Sequence, residues 1–129
     1  MKKGVRRRIL LALWIIVIFG LSSIPALPGD YMKMPPGFDK LVHFVEYSVL
    51  AILFHQVLVM NSRWNQNLIA LVVVIICIAI AGLDEIYQSI IPGRQSSVTD
   101  LYADIAGIIT GTFVSLLLFR RGILRTDEA

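Results

Sequence analysis

Apolar residues along the chain gather into four runs separated by short polar stretches. Ile9 to Gly29 carries no charge, and its apolar core extends from Ile9 to Leu21. Leu41 to Met60 is interrupted by His43, Glu46, His55 and Gln56. Trp64 to Leu83 again has no charge, and Leu101 to Phe119 has only Asp104. A bilayer core of about 30 Å demands roughly 20 apolar residues in a helix. The pattern therefore predicts an all-α, polytopic four-helix transmembrane bundle, in one domain over 1–129, with spans at about 9–27, 40–60, 65–90 and 99–119.

Two of these runs hold acids at membrane depth. The strictly uncharged part of the last, Ile105 to Phe119, is about 22 Å long as a helix. It must extend through Asp104 to cross, and Glu46 is drawn inward by the same reasoning. Acids at such depth are expected to face the bundle interior or a wet cavity.

Polar punctuation separates the runs. Pro25, Pro28, Pro35, Pro36 and several glycines predict a non-helical loop, and Pro92-Gly93 breaks the chain after the third span. The N-terminus has the basic and apolar regions of a secretory signal. No small-x-small pattern ends at Ala26, because Ile24 occupies the −3 position, so the first run is expected to persist as a span.

Composition agrees with the bilayer reading. The chain is 57% hydrophobic and 16% charged, with a mean hydropathy of +0.75, against about a quarter charged in soluble domains. The net charge of +3 comes from basic clusters flanking apolar runs, which set topology and touch anionic lipid. It forms no aromatic-interleaved surface, so no nucleic-acid partner is expected. Cys77, alone in an apolar run, reads as a packing residue.

The basic residues also orient the bundle. With the N-terminus inside, Lys2, Lys3, Arg6, Arg7, Arg8, Arg63, Arg120, Arg121 and Arg125 lie inside, and only Lys33, Lys40 and Arg94 lie outside. The positive-inside rule thus predicts cytoplasmic N- and C-termini in the cell membrane. Seven of the nine acids, Asp30, Asp39, Glu46, Asp84, Glu85, Asp100 and Asp104, then fall on the extracytoplasmic side.

Three stretches could carry chemistry there. In Asp39-Lys40-x-x-His43-x-x-Glu46-Tyr47 the helical repeat stacks Asp39, His43, Glu46 and Tyr47 on one face. A carboxylate beside a histidine can orient a general base or share a metal. The structural alternative makes Asp39 an N-cap and Lys40 a snorkelling anchor. In Asp84-Glu85-x-x-Gln88, acids at a helix C-terminus oppose the macrodipole and call for a compensating cation or proton. The alternative is a solvated helix end.

The third stretch is Arg94-x-Ser96-Ser97-x-x-Asp100-x-x-x-Asp104. Ser97 and Asp100 have capping-box spacing, which predicts a helix start. Capping does not explain Asp104, one turn deeper. Ala103, Gly107 and Gly111 form a small-residue stripe suited to close helix packing, within or between chains. Arg94 offers a fork for a carboxylate or phosphate. His55 reads as structural, and Trp14, Trp64, Tyr31 and Tyr102 as interfacial anchors.

Candidate ligand-binding residues are thus Asp39, Lys40, His43, Glu46, Tyr47, Asp84, Glu85, Gln88, Arg94, Ser97, Asp100 and Asp104, with His43, Glu46, Asp84 and Asp100 as catalytic candidates. Acids outnumber cations among them, and protonation, water or a bound cation must relieve the excess. No cofactor is expected, with a divalent cation left open.

The combined spacing Asp39-Lys40-x-x-His43-Phe44-x-x-Tyr47, Asp84-Glu85-x-x-Gln88-x-x-x-Pro92-Gly93-Arg94-x-x-Ser97-x-x-Asp100 and Gly107, with Ser22-Ser23-x-Pro25 closing the first span, resembles the VanZ-like membrane protein family. The likeness runs from the first span to about Gly111. It departs at Asp104, where the family's usual residue is asparagine. The resemblance implies a cell-envelope membrane protein, and the founding member is associated with low-level teicoplanin resistance.

The leading expectation is an outward polar site that binds an envelope lipid, a lipid-linked glycan precursor or a lipoglycopeptide moiety. The alternative is an intramembrane hydrolase or transferase acting on a lipid headgroup, with His43 as base, although no HExxH spacing or nucleophile motif accompanies it. A third reading is a packing subunit.

Overall fold

The computed structural model describes residues 3–25, 35, 37–94 and 96–124. The expectations that concern Lys2, Ala26, Pro28, Asp30, Tyr31, Lys33, Pro36 and Arg125 lie outside the described residues. Four helices follow one another: α1 Lys3–Ser22, α2 Phe38–Asn61, α3 Gln66–Ser89 and α4 Val98–Arg120. Three segments, Phe38–Met60, Gln66–Ser89 and Val98–Arg120, are long and apolar enough to cross a membrane. The chain is a helical membrane protein. The uncharged part of α1, Ile9 to Ser22, measures about 21 Å. α1 closes at Ser22, where Ser23 N–H and Oγ both bond back to Phe19 O.

Helix ends follow local chemistry, though two differ from the sequence expectation. α2 begins after Gly37, in the left-handed region at φ 82°, so Asp39 lies inside the first turn and is not the N-cap. α4 begins after Ser97, but no capping box forms. Ser97 Oγ pairs with Thr99 Oγ1 at 2.6 Å, and the Ser97 N–H reaches Glu85 Oε2 at 2.8 Å. A tertiary acceptor has displaced the local one. α4 ends in a Schellman motif: Gly122 (φ 74°) donates to Phe119 O at 2.9 Å, and Ile123 N–H to Leu118 O at 3.0 Å.

The bundle is apolar outside and partly polar inside. Leu71, Ile75, Leu83, Ile86, Ile109 and Phe113 are exposed, as lipid-facing residues should be. Ile18, Tyr47, Leu50, Ala51, Ile69, Val73, Cys77, Ala81 and Ile108 make the core. Buried among or beside them are His43, Glu46, His55, Asp84, Glu85, Gln88, Asp100, Asp104 and Ser115.

The largest interface joins α2 to α4. Its hydrogen bonds keep a nearly constant sequence offset: Lys40 to Asp100 (60), His43 to Asp104 (61), Ser48 to Gly107 (59) and His55 to Ser115 (60). A fixed offset of one sign means that the two helices run parallel. Gly107 and Gly111 make the approach this close. A Cβ at Gly107 would collide with the Phe44 carbonyl oxygen, and one at Gly111 with that of Ser48. The small-residue stripe packs against the chain's own α2 at these two positions.

Trp14, expected as an interfacial anchor, is partly buried. It packs against the core, and its indole N–H donates to Glu46 O at 2.9 Å. Trp64 and Tyr102 are exposed. At the end opposite the acids, Arg120 Nη2 donates to Asn67 Oδ1 at 3.1 Å and ties α4 to α3.

Candidate functional site

Antiparallel threading brings the start of α2, the end of α3 and the start of α4 to one end of the bundle, and the acids meet there. At the rim, Lys40 Nζ lies 3.0 Å from both Asp39 Oδ2 and Asp100 Oδ1. Asp39 is exposed and Asp100 is buried. The expected stack of four residues on α2 therefore splits. Asp39 stays at the surface, while His43, Glu46 and Tyr47 turn inward.

One turn deeper, His43 Nδ1 and Asp104 Oδ1 are 3.0 Å apart, and Asp104 is wholly enclosed. A carboxylate taken out of water costs several kcal/mol unless it is paired. His43 is the partner that α2 supplies. The other oxygen, Asp104 Oδ2, is buried without a hydrogen bond.

α3 adds two acids from its last turns. Glu85 Oε2 accepts from Ser97 N–H at 2.8 Å, and Glu85 Oε1 is buried without a partner. Asp84 Oδ2 accepts from Gln88 Nε2 at 3.0 Å, one turn along the same helix. Gln88 Nε2 also donates to Ser22 Oγ at 3.1 Å. Glu46 Oε1 is buried without a hydrogen bond, in a side chain that shares the interior with His43, Asp84 and Asp104. Tyr47, fully enclosed, lies beside Asp84 and Asp104.

α1 closes the fourth side. Besides Ser22 to Gln88, Ser23 Oγ pairs with Tyr87 Oη at 2.8 Å, and the Phe19 and Tyr87 rings lie 5.9 Å apart. Arg94 Nε donates to Ile24 O at 3.1 Å, so one arm of its fork holds the α1 terminus. Ser22, Trp14 and Tyr87 were not among the residues expected at the site. The hydroxyl pair Ser22-Ser23, just where the first apolar run loses its strength, is the signal that marks that wall in the sequence.

Of the expected residues, the fold gathers His43, Glu46, Tyr47, Asp84, Glu85, Gln88 and Asp104 inside. Lys40 and Asp100 sit at the rim, Ser97 contributes its backbone N–H, and Arg94 flanks α1. His55 is elsewhere, buried on α2 with Ser115 Oγ 3.0 Å from its Nδ1. Among the described residues, His43 pairs with the Asp104 carboxylate, and no hydroxyl or thiol is hydrogen-bonded to it.

Chemically the interior is rich in acceptors and poor in donors. Among the described residues, no Lys or Arg forms a salt bridge with Glu46, Asp84, Glu85 or Asp104. Such a group can receive a cation, an ammonium or a cluster of hydroxyl donors.

No curated protein and no solved structure matches the chain. One family model, described as VanZ/LLP1, matches residues 7–120. The match takes in every residue of the polar cluster, and the chain belongs to the VanZ/LLP1 family.

Proposed function

We propose that this chain is a small protein of the bacterial cell envelope whose polar site recognises the headgroup of an envelope lipid or lipid-linked glycan precursor, or the corresponding part of a teicoplanin-type lipoglycopeptide. The observation that carries it is the buried Glu46 carboxylate, its Oε1 without a hydrogen bond, which shares the interior with His43, Asp84 and Asp104 where three helix ends converge. An acceptor-rich group at the membrane boundary complements the hydroxyls and amines of such headgroups, and the apolar outer faces keep it at lipid depth. In this reading α1 is a fourth span, both termini are cytoplasmic, and the site faces outward, as the nine-to-three bias of basic residues favours.

The test is alanine replacement of Glu46, Asp84 and Asp100, one at a time, in cells that depend on the protein for teicoplanin tolerance or envelope integrity. Each variant should reach the membrane and lose the phenotype. Full activity in all three would sink the reading.

A further inference from the structure

His43 on α2, Glu85 on α3 and Asp104 on α4 come from three helices, yet each offers a ligand atom within 4.8 Å of the other two. All three side chains are buried. Glu85 Oε1 and Asp104 Oδ2 have no hydrogen-bond partner. Glu46, only 8% exposed and unpartnered at Oε1, shares the interior with His43 and Asp104. Hydrogen bonds within the cluster leave these oxygens unused, and buried acceptors are rarely left so.

We propose that His43, Glu85 and Asp104 hold one divalent transition-metal ion, Zn²⁺ or Mn²⁺, with Glu46 behind it as an outer partner. The donor set decides the class. An imidazole with two carboxylates suits these ions, whereas Ca²⁺ and Mg²⁺ favour oxygen alone. Bonds of about 2.1 Å in a tetrahedral array place ligand atoms about 3.4 Å apart. The His43–Asp104 pair is already at 3.0 Å, and the Glu85 ligand atom, within 4.8 Å of both, would draw in on binding. The ion would neutralise two carboxylates that form no salt bridge with Lys or Arg among the described residues.

Three protein ligands leave a coordination position open. This deepens the headgroup reading, on which it rests for the location of the site. The ion would present a Lewis-acidic point to a headgroup oxygen, and Glu46 and Asp84 would accept from its donors.

The experiment uses the full chain in mild detergent, stripped with chelator and dialysed against Zn²⁺ alone or Mn²⁺ alone. Elemental analysis should find one ion per chain for at least one metal. Glu85→Gln and Asp104→Asn should each weaken binding at least tenfold. No stoichiometric ion at micromolar free metal, or unchanged affinity in either variant, overturns the proposal. Should a variant fail to fold, X-ray absorption on the loaded wild-type protein decides it. One imidazole with otherwise oxygen ligands supports the site, and a shell without imidazole overturns it. A metal-free result leaves the alanine phenotypes intact, so the two readings fail separately.

Discussion

His43 Nδ1 stands 3.0 Å from Asp104 Oδ1, and the pair joins α2 to α4 where Asp104 has no solvent exposure. The two partners are not equivalent. His43→Ala strands an enclosed carboxylate, which costs about 3 kcal/mol. Asp104→Asn removes the charge and keeps a polar group of the same shape, for a loss under about 1 kcal/mol. Reversible unfolding of the metal-free protein in detergent measures both. Equal losses would contradict a charged, enclosed Asp104.

Gly107→Leu and Gly111→Leu should each destabilise by about 1–3 kcal/mol or more, because the new side chain meets α2 backbone that cannot move aside cheaply. Gly20→Ala and Gly82→Ala have nothing within 4 Å and should gain up to about 1 kcal/mol from helix propensity. Thermal unfolding of the four variants gives the comparison.

Trp14→Phe keeps most of the packing and removes only the donor to Glu46 O. That carbonyl lies within α2, so the expected cost is about 1 kcal/mol. A larger loss would mean that the indole N–H governs how α1 docks.

Gln88 bridges Asp84 and Ser22, whereas Ser22 reaches only Gln88 in that chain of contacts. Gln88→Leu should cost about 1–3 kcal/mol by leaving Asp84 Oδ2 buried and unpaired, and Ser22→Ala less than half of that. The ranking, read by chemical denaturation, is the check.

For topology, Arg63→Cys in the α2–α3 turn and Ser96→Cys in the α3–α4 turn, each in a Cys77→Ala background, should label differently with a membrane-impermeant maleimide. Position 96 should react on intact cells and position 63 only after permeabilisation. The reverse pattern would turn the bundle over.

The three long spans were legible because bilayer thickness imposes a run length that any hydrophobicity reading detects. The convergence of acids at one end followed from threading alone. What the residues did not reveal was how deep each turn sits in the bundle and which tertiary partner it meets. Asp39 and His43 share a helical face by spacing, yet one is exposed and the other buried, because Asp39 lies in the first turn of α2 at the rim and His43 one turn deeper, opposite Asp104. Ser97 and Asp100 had the spacing of a capping box, but the N–H of Ser97 found Glu85, twelve positions earlier. Trp14 read as an anchor because nothing local marks a backbone carbonyl 32 positions away as its partner.

The glycine contacts of α4 have one further consequence. Two walls of the polar site are spaced by backbone close to backbone, at Phe44 beside His43 and at Gly107 one turn below Asp104, and not by a side chain proposed to meet a ligand. The aperture of the site thus has its own adjusting screw, outside the binding chemistry. Graded bulk at Gly107, from alanine upward, would force α2 and α4 apart at a rising cost in stability, and widen the gap between imidazole and carboxylate without altering either group.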